Sequence, residues 1–241
     1  MSTSHSYVSV LQQHLERVEA ENAGALDQAA ALILDGITGD GFIYAGGAGH
    51  SMIPVAEAFY RAGGLANVRP IHEPELHHMN GALHATATER LTGIAARALD
   101  GIELRPQDVV LVASNSGANP YPVELAMLAK KAGTPVIALT SRACVAAATK
   151  RMPTTLPEEA TIVLDTLTPV GDVGYTLGTV TTAPPSTIVN GFLWNLILIR
   201  LVDLGAERGV SIPMWRSSNV PGGDEFNAAL ISKYQPLIPQ L

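Results

Sequence analysis

One segment of the chain, an apolar run followed by a polar loop and a helical pattern, constrains the fold more than any other. The run 109–113 (Val-Val-Leu-Val-Ala) is typical of a buried strand, and residues 122–132 have helical spacing. Between them lies the loop 114–119 (Ser-Asn-Ser-Gly-Ala-Asn). Such a loop places hydroxyls and free backbone N–H groups at the positive end of the helix dipole. The segment predicts a βα unit that binds an anion, most often phosphate, although an ordinary capped turn has the same pattern.

A second unit of the same kind lies upstream. Residues 42–45 form a short apolar run, residues 46–51 the loop Gly-Gly-Ala-Gly-His-Ser, and residues 53–62 a helical pattern. Further strands are predicted at 68–71, 136–139 and 161–164. Strands that alternate with helices are typical of a parallel sheet covered on both faces. Because ligands of open α/β sheets bind at the carboxyl ends of strands, we expect the two loops to share one ligand.

The upstream loop also has a dinucleotide-binding interpretation. A G-x-G-x-x-G fingerprint that starts at Gly47 finds Gly49, but Met52 stands where the third glycine belongs. Glu73, after the next predicted strand, would then be the acid that binds the ribose. A nicotinamide enzyme does not require the second, serine-containing loop, so this interpretation is the minor alternative.

Together the two loops resemble those of the sugar isomerase (SIS) domain family. The family's serine loop usually reads Ser-x-Ser-Gly-x-Thr; Ser114, Ser116 and Gly117 match it, whereas Asn119 replaces the threonine. The resemblance covers about residues 7–205. It looks closest to the bacterial group that includes N-acetylmuramate 6-phosphate etherases and heptose 7-phosphate isomerases.

The upstream loop and a later segment add to the resemblance. Gly47, Gly49 and Ser51 match the family's glycine/serine loop, and Ser186-Thr187 resembles a loop that closes over the sugar phosphate. The resemblance implies a phosphorylated sugar as ligand and no cofactor. The predicted phosphosugar-binding residues are Gly47, Gly49, His50, Ser51, Ser114, Asn115, Ser116, Gly117, Asn119, Ser186 and Thr187.

The same resemblance implies an α/β fold, a three-layer sandwich around a central, mainly parallel, five-stranded sheet that is doubly wound as in flavodoxin. We expect a single SIS domain over residues 1–241, with a helix at 7–35 and a tail at 206–241 as packing or oligomer extensions. A homodimer or homotetramer is the expected assembly. Residues 166–185, rich in Thr, Gly and Pro, are too long for a simple connector and indicate a functional or disordered loop.

Residues 72–89 contain the candidate groups for proton transfer, including four of the chain's seven histidines. Carboxylates and imidazoles transfer protons well near neutral pH. The resemblance implies a glutamate base after the second strand. Glu73 and Glu75 fit this place, and Glu89 is a third possibility. The predicted catalytic residues are Glu73 or Glu75 as base and His77 or His78 as the acid that opens the sugar ring. The corresponding function is a sugar-phosphate isomerase or a lyase/etherase.

Two other functions fit the same residues. A non-catalytic sugar-phosphate sensor needs only the phosphate loops and a selective pocket, and residues 72–89 would then be a solvated loop. A metal could be held by His72 with Glu75, or by His77 with His84, but the spacing fits no known signature such as H-E-x-x-H. No metal is therefore predicted.

Composition limits the compartment and the partners. The net charge of −7 argues against nucleic acid or an anionic membrane as a general partner. The single Cys144 excludes an internal disulfide and suits a reducing compartment. Residues 188–204 are apolar, but Asn190, Asn195, Arg200 and Asp203 interrupt them, so a buried core helix is predicted instead of a membrane span. A soluble, cytoplasmic protein follows.

Overall fold

Five parallel strands form the central sheet of the structure, a computed structural model that describes residues 6–241. The strands are β1 (Ile43–Gly46), β2 (Val68–Pro70), β3 (Val109–Ala113), β4 (Val136–Thr140) and β5 (Ile162–Asp165). Their order in the sheet is β2-β1-β3-β4-β5, and each neighbouring pair is parallel. All five predicted strands are present, each within one residue of its expected bounds, and the predicted fold class is confirmed.

Helices cover both faces of this sheet. On one face pack α1 (Tyr7–Thr38), α2 (Met52–Ala58) and α8 (Ser186–Arg208). On the other face pack α4 (Ile94–Ala98), α5 (Pro120–Lys131) and α7 (Leu156–Glu159). The shorter α3 (Ala82–Thr88), α6 (Arg142–Ala147) and the tail helix α9 (Gly223–Tyr234) complete the described α-helices. The predicted N-terminal helix is thus present as α1, which continues to Thr38.

The strand β3 explains why the sequence pattern was so strong. Val109, Leu111 and Ala113 pack into the core beneath α1 and α8, and Val110 and Val112 pack into the core beneath α5. All five residues are buried. A strand that is covered on both faces reads as a continuous apolar run, as this one does.

The helix α8 is a core helix of the protein. By length and composition it is the helix within residues 6–241 that could cross a membrane, yet half of its most apolar stretch is buried inside the protein. Leu193, Trp194 and Ile197 lie in the core that α8 forms with α1 and the sheet. This packing accounts for the apolar character of the helix.

The long segment between β5 and α8 contains structure that the sequence did not indicate. The strands β6 (Tyr175–Leu177) and β7 (Val180–Thr182) form an antiparallel hairpin whose residues are all exposed. In the tail, Trp215 and Tyr234 are buried in a small cluster with Ala66.

Sheet topology defines where a ligand can enter. The chain runs from β1 outward to β2 and then returns to place β3 on the other side of β1. In this strand order the connections diverge between β1 and β3 and leave a crevice at the carboxyl ends of these two strands. The loops 46–51 and 114–119 follow β1 and β3 directly, so both border the crevice.

Candidate functional site

A cleft of about 660 Å³ lies at this crevice. Its walls come from the loops after β1 and β3, from the start of α8 and from the segments around α3 and α6. Nine of the eleven predicted binding residues line it: Gly49, His50, Ser51, Ser114, Asn115, Ser116, Asn119, Ser186 and Thr187. The fold thus brings together three segments that are far apart in sequence.

The remaining two predicted binding residues, Gly47 and Gly117, shape the loops from outside the cleft lining. A side chain at Gly47 would overlap the backbone carbonyl of Ser51. Gly117 has φ +52°, and a Cβ there would lie 2.9 Å from Val145 Cγ2 and 3.0 Å from Thr140 Oγ1. Both positions need glycine because the backbone approaches its neighbours so closely.

Within the serine loop, the side chains have different partners. Ser114 Oγ accepts a hydrogen bond from the Gly117 N–H at 3.2 Å, and Asn115 Oδ1 accepts one from the Thr166 hydroxyl at 3.2 Å. These two residues therefore help to fix the loop. Ser116 is half-buried and lines the cleft, where its hydroxyl is available to a ligand.

Glu89 is a carboxylate that lines the cleft and accepts a hydrogen bond from Asn119, which in turn accepts one from Arg151. Asn119 Nδ2 donates to Glu89 Oε1 at 2.7 Å, and Arg151 Nη1 donates to Asn119 Oδ1 at 2.9 Å. Burial raises the pKa of Glu89, and the positive charges of Arg90 and Arg151 oppose part of that rise. Asn119, expected to bind phosphate, instead uses both ends of its amide within this chain of contacts.

Two histidines lie together at the edge of the cleft. The rings of His50 and His78 stack with their centroids 4.5 Å apart. His78 Nδ1 lies 3.0 Å from the Gly49 carbonyl oxygen. Since a carbonyl only accepts, Nδ1 carries a proton in this contact, and Nε2 is the ring nitrogen left for a ligand.

The structure does not bring Glu73, Glu75 or His77 into the cleft lining. Arg97 Nε donates to Glu73 Oε2 at 2.8 Å, and the same guanidinium pairs with Glu75. The hydrogen bonds from Arg97 and His84 lower the pKa of Glu75. A carboxylate stabilised in its charged form is a weaker base, which weakens the case for Glu75. The catalytic roles of Glu73, Glu75 and His77 stay predictions.

Elsewhere in the lining, Asp172 caps the start of α8. Its Oδ1 accepts from the Ser186 N–H at 3.1 Å and its Oδ2 from the Ser186 hydroxyl at 2.6 Å. The groups of Ser186 that were expected to bind phosphate therefore have a partner within the chain. Thr187 and Asn190 line the cleft beside them.

Several lining residues were not predicted, among them Thr86, Cys144 and Asn190. Asn190 is four residues after Ser186, so the two share one face of α8, and this spacing was a usable signal. Cys144 stands in α6, after the carboxyl end of β4, and lacks such a signal. Within the part of the chain that is described, no three His, Cys, Asp or Glu side chains group closely enough to hold a metal ion.

The sequence pattern of the SIS domain matches residues 6–141, more than half of the chain, including both loops after β1 and β3. The chain belongs to the SIS domain family. It is 33% identical over 241 residues to a UPF0309 protein of Geobacillus kaustophilus, covering 98% of this chain and 96% of that one. It is 38% identical over 226 residues to a UPF0309 protein of Streptomyces coelicolor, covering 91% and 90% of the two chains.

Among solved structures, this SIS domain resembles the phosphoheptose isomerase GmhA of Neisseria gonorrhoeae. The TM-score is 0.54 with 19% sequence identity, over 82% of this chain and 96% of the isomerase. At this identity the likeness establishes the shared fold.

Proposed function

We propose that this SIS domain protein binds a sugar phosphate in the cleft and acts on it as an aldose–ketose isomerase. The observation that carries the proposal is the position of Glu89, a partly buried carboxylate in the wall of the same cleft that the serine loop lines. A phosphate on the loop 114–119 would hold the sugar within this cleft. The shared fold with a phosphoheptose isomerase supports the reaction class.

Glu89 suits the role of general base for two reasons. A base is most effective when its pKa lies near the working pH, and burial moves the pKa of Glu89 upward from its ordinary value. In addition, Asn119 donates to Oε1 alone, so Oε2 remains for the substrate. In the proposed reaction Glu89 removes the proton from C2 of the open-chain aldose and returns it to C1. The hydroxyl proton of C2 passes to the oxygen on C1, which completes the ketose.

His78 is the proposed acid for opening the sugar ring. The Gly49 carbonyl fixes its Nδ1–H, so the doubly protonated ring would give its Nε2 proton to the ring oxygen of the sugar as the bond between C1 and that oxygen breaks. His77, the other predicted acid, accepts from the Met79 N–H at 3.3 Å and lies outside the cleft lining. The same base would also begin an elimination by taking the C2 proton. A lyase or etherase differs from the isomerase because the substituent on C3 then leaves.

A screen of sugar phosphates by thermal shift is the first test, because a ligand that binds only the folded state raises the apparent stability. The panel includes hexose, hexosamine and heptose phosphates. Each stabilising compound is then incubated with the protein in deuterated water, and NMR follows deuterium at C1 and C2. We expect exchange together with a ketose product.

Matched glutamine variants identify the base. Glu89→Gln should reduce deuterium exchange by about 10²- to 10⁴-fold, the usual contribution of a general base, while ligand binding persists. Glu73→Gln and Glu75→Gln should retain exchange. Retained exchange in Glu89→Gln would exclude it as the base. Binding without any exchange in the wild type would favour the sensor function.

We further propose a cytoplasmic location. The packing of one side of α8 into the core supports a soluble protein, because that side of the helix contacts α1 and the sheet. Cell fractionation with an antibody to the native protein should find it in the soluble fraction; recovery in washed membranes would contradict the proposal.

A further inference from the structure

Two parts of the cleft lining offer opposite hydrogen-bonding chemistry. The part formed by the loops 46–51 and 114–119 presents serine hydroxyls. The part at the start of α8, called the α8 end, presents Asp172 and Asn190. Among the described residues that line the cleft there is no Lys or Arg, whereas Glu89 and Asp172 are acidic. The cleft therefore has donors for one anion, and its lining offers no Lys or Arg for a second.

At the α8 end, Asp172 occupies the place where a second anion would be most stable. Its carboxylate accepts both the N–H and the hydroxyl of Ser186, the first residue of α8. The positive end of this 23-residue helix is thereby matched with a negative charge of the protein itself. An added acid group there would meet a like charge, which costs free energy in a partly desolvated site.

Asn190 adds an independent observation at the same end. It is 4% exposed, and its Oδ1 is buried without a hydrogen-bond partner. A buried acceptor without a partner is unfavourable, and a hydroxyl or amino group of a ligand would satisfy it. Both Asp172 and Asn190 thus favour donors over acids.

We infer that the cleft selects sugars with a single acidic group, that is, neutral or amino-sugar monophosphates, and that Asp172 disfavours sugars with a second one. This inference rests on the proposed binding of a sugar phosphate. It narrows the substrate class to one in which the part of the sugar remote from the phosphate carries hydroxyl or amino groups. Bisphosphates and phosphorylated sugar acids should bind more weakly than the corresponding monoacids.

Pairs of compounds that differ by one acidic group test the inference. The pairs are N-acetylglucosamine 6-phosphate with N-acetylmuramate 6-phosphate, glucose 6-phosphate with 6-phosphogluconate, and fructose 6-phosphate with fructose 1,6-bisphosphate. Calorimetric titration of the wild type should favour the monoacid by at least about tenfold in each pair that binds. Asp172→Asn, which keeps an oxygen acceptor, should reduce this preference to about threefold or less.

Asp224→Asn is the matched control, since it removes the same charge in the first turn of α9, outside the cleft lining. It should leave the preference unchanged.

If Asp172→Asn unfolds, Asp172→Ser replaces it, because serine also caps helices. Equal binding of both members of a pair by the wild type overturns the inference but leaves the proposed function standing. An unchanged preference in Asp172→Asn overturns the role of that residue. Binding of no monophosphate in the panel overturns the proposed function and the inference with it.

Discussion

Two effects act on the pKa of Glu89 in opposite directions: burial raises it, and the nearby arginines lower it by less. Because burial raises its pKa above the ordinary 4.5, the folded protein keeps this proton to a higher pH than the unfolded chain does. As the pH rises through that interval the folded state binds more protons, so the stability falls. We expect Glu89→Gln, which keeps an oxygen for Asn119, to exceed the wild type in stability at about pH 8 and to equal it near pH 4. Urea unfolding at both values measures the difference.

Glu75 provides a control, because its pKa is shifted in the opposite direction from that of Glu89. Arg97 and His84 lower the pKa of this exposed carboxyl, so it stabilises the folded state at neutral pH and loses that effect as the pH falls through the lowered value. Glu75→Gln should therefore be less stable than the wild type at neutral pH, with a difference that disappears on acidification. A Glu89→Gln difference that does not change with pH would contradict the burial of the charge.

Substitutions of two serines should have different effects, one on ligand binding and the other on stability. Ser116 lines the cleft, whereas Ser141 is fully buried, caps α6 through the Cys144 N–H at 3.1 Å and donates to the Thr168 carbonyl at 2.7 Å. Ser116→Ala should weaken binding of the sugar phosphate about 10- to 100-fold, the effect of losing one hydrogen bond to a charged group. Ser141→Ala should cost about 1–2 kcal/mol of stability. Calorimetry and urea unfolding of both variants measure the two effects, and equal losses of binding would contradict the assignment.

At the scale of elements, the long helix α1 is fixed to the edge strand β5 by Asn22. Asn22 Oδ1 accepts from the Asp165 N–H at 2.7 Å, and its Nδ2 donates to the Asp165 carbonyl at 2.9 Å. Asn22→Ala leaves both backbone groups without a partner where α1 covers them. We expect a loss of about 2–3 kcal/mol in the free energy of unfolding. Gln12→Ala, on the exposed side of α1, is the control and should change stability by less than about 0.5 kcal/mol.

The elements that the sequence predicted are those with a strong local pattern. The strand β3 is apolar throughout because both of its faces are buried, and the loop 114–119 is recognisable because it follows that strand directly. The hairpin of β6 and β7 lacks such a pattern, since all of its residues are exposed. Without a buried face, its alternation of side chains leaves little signal in the sequence.

The choice among the carboxylates depended on contacts that local patterns do not contain. Glu73 follows β2 closely, as expected of the base, but it pairs with Arg97, 24 residues further along the chain. Glu89 lines the cleft and accepts a hydrogen bond from Asn119, which is 30 residues further along the chain. Such pairings arise only when α3, α4 and the loop before α5 pack together. Sequence spacing placed these residues in one region of the sheet edge, and tertiary packing decided which of them faces the cleft.

At the scale of the whole molecule, α8 leaves an apolar stripe uncovered. Ile188, Ile199 and Val202 are 41%, 59% and 44% exposed, and their spacing of 11 and 3 residues puts them on one side of the helix. Exposed apolar patches of this kind are typical of protein–protein contacts, which agrees with the homodimer or homotetramer that the sequence analysis predicts. We expect sedimentation to give a dimer or tetramer for the wild type. Ile199→Lys should weaken the assembly about tenfold or more, because a charge would be buried without a partner. Met127→Lys, on α5 and 41% exposed, should leave the assembly intact. A monomeric wild type, or equal effects of both lysines, would contradict an interface at α8.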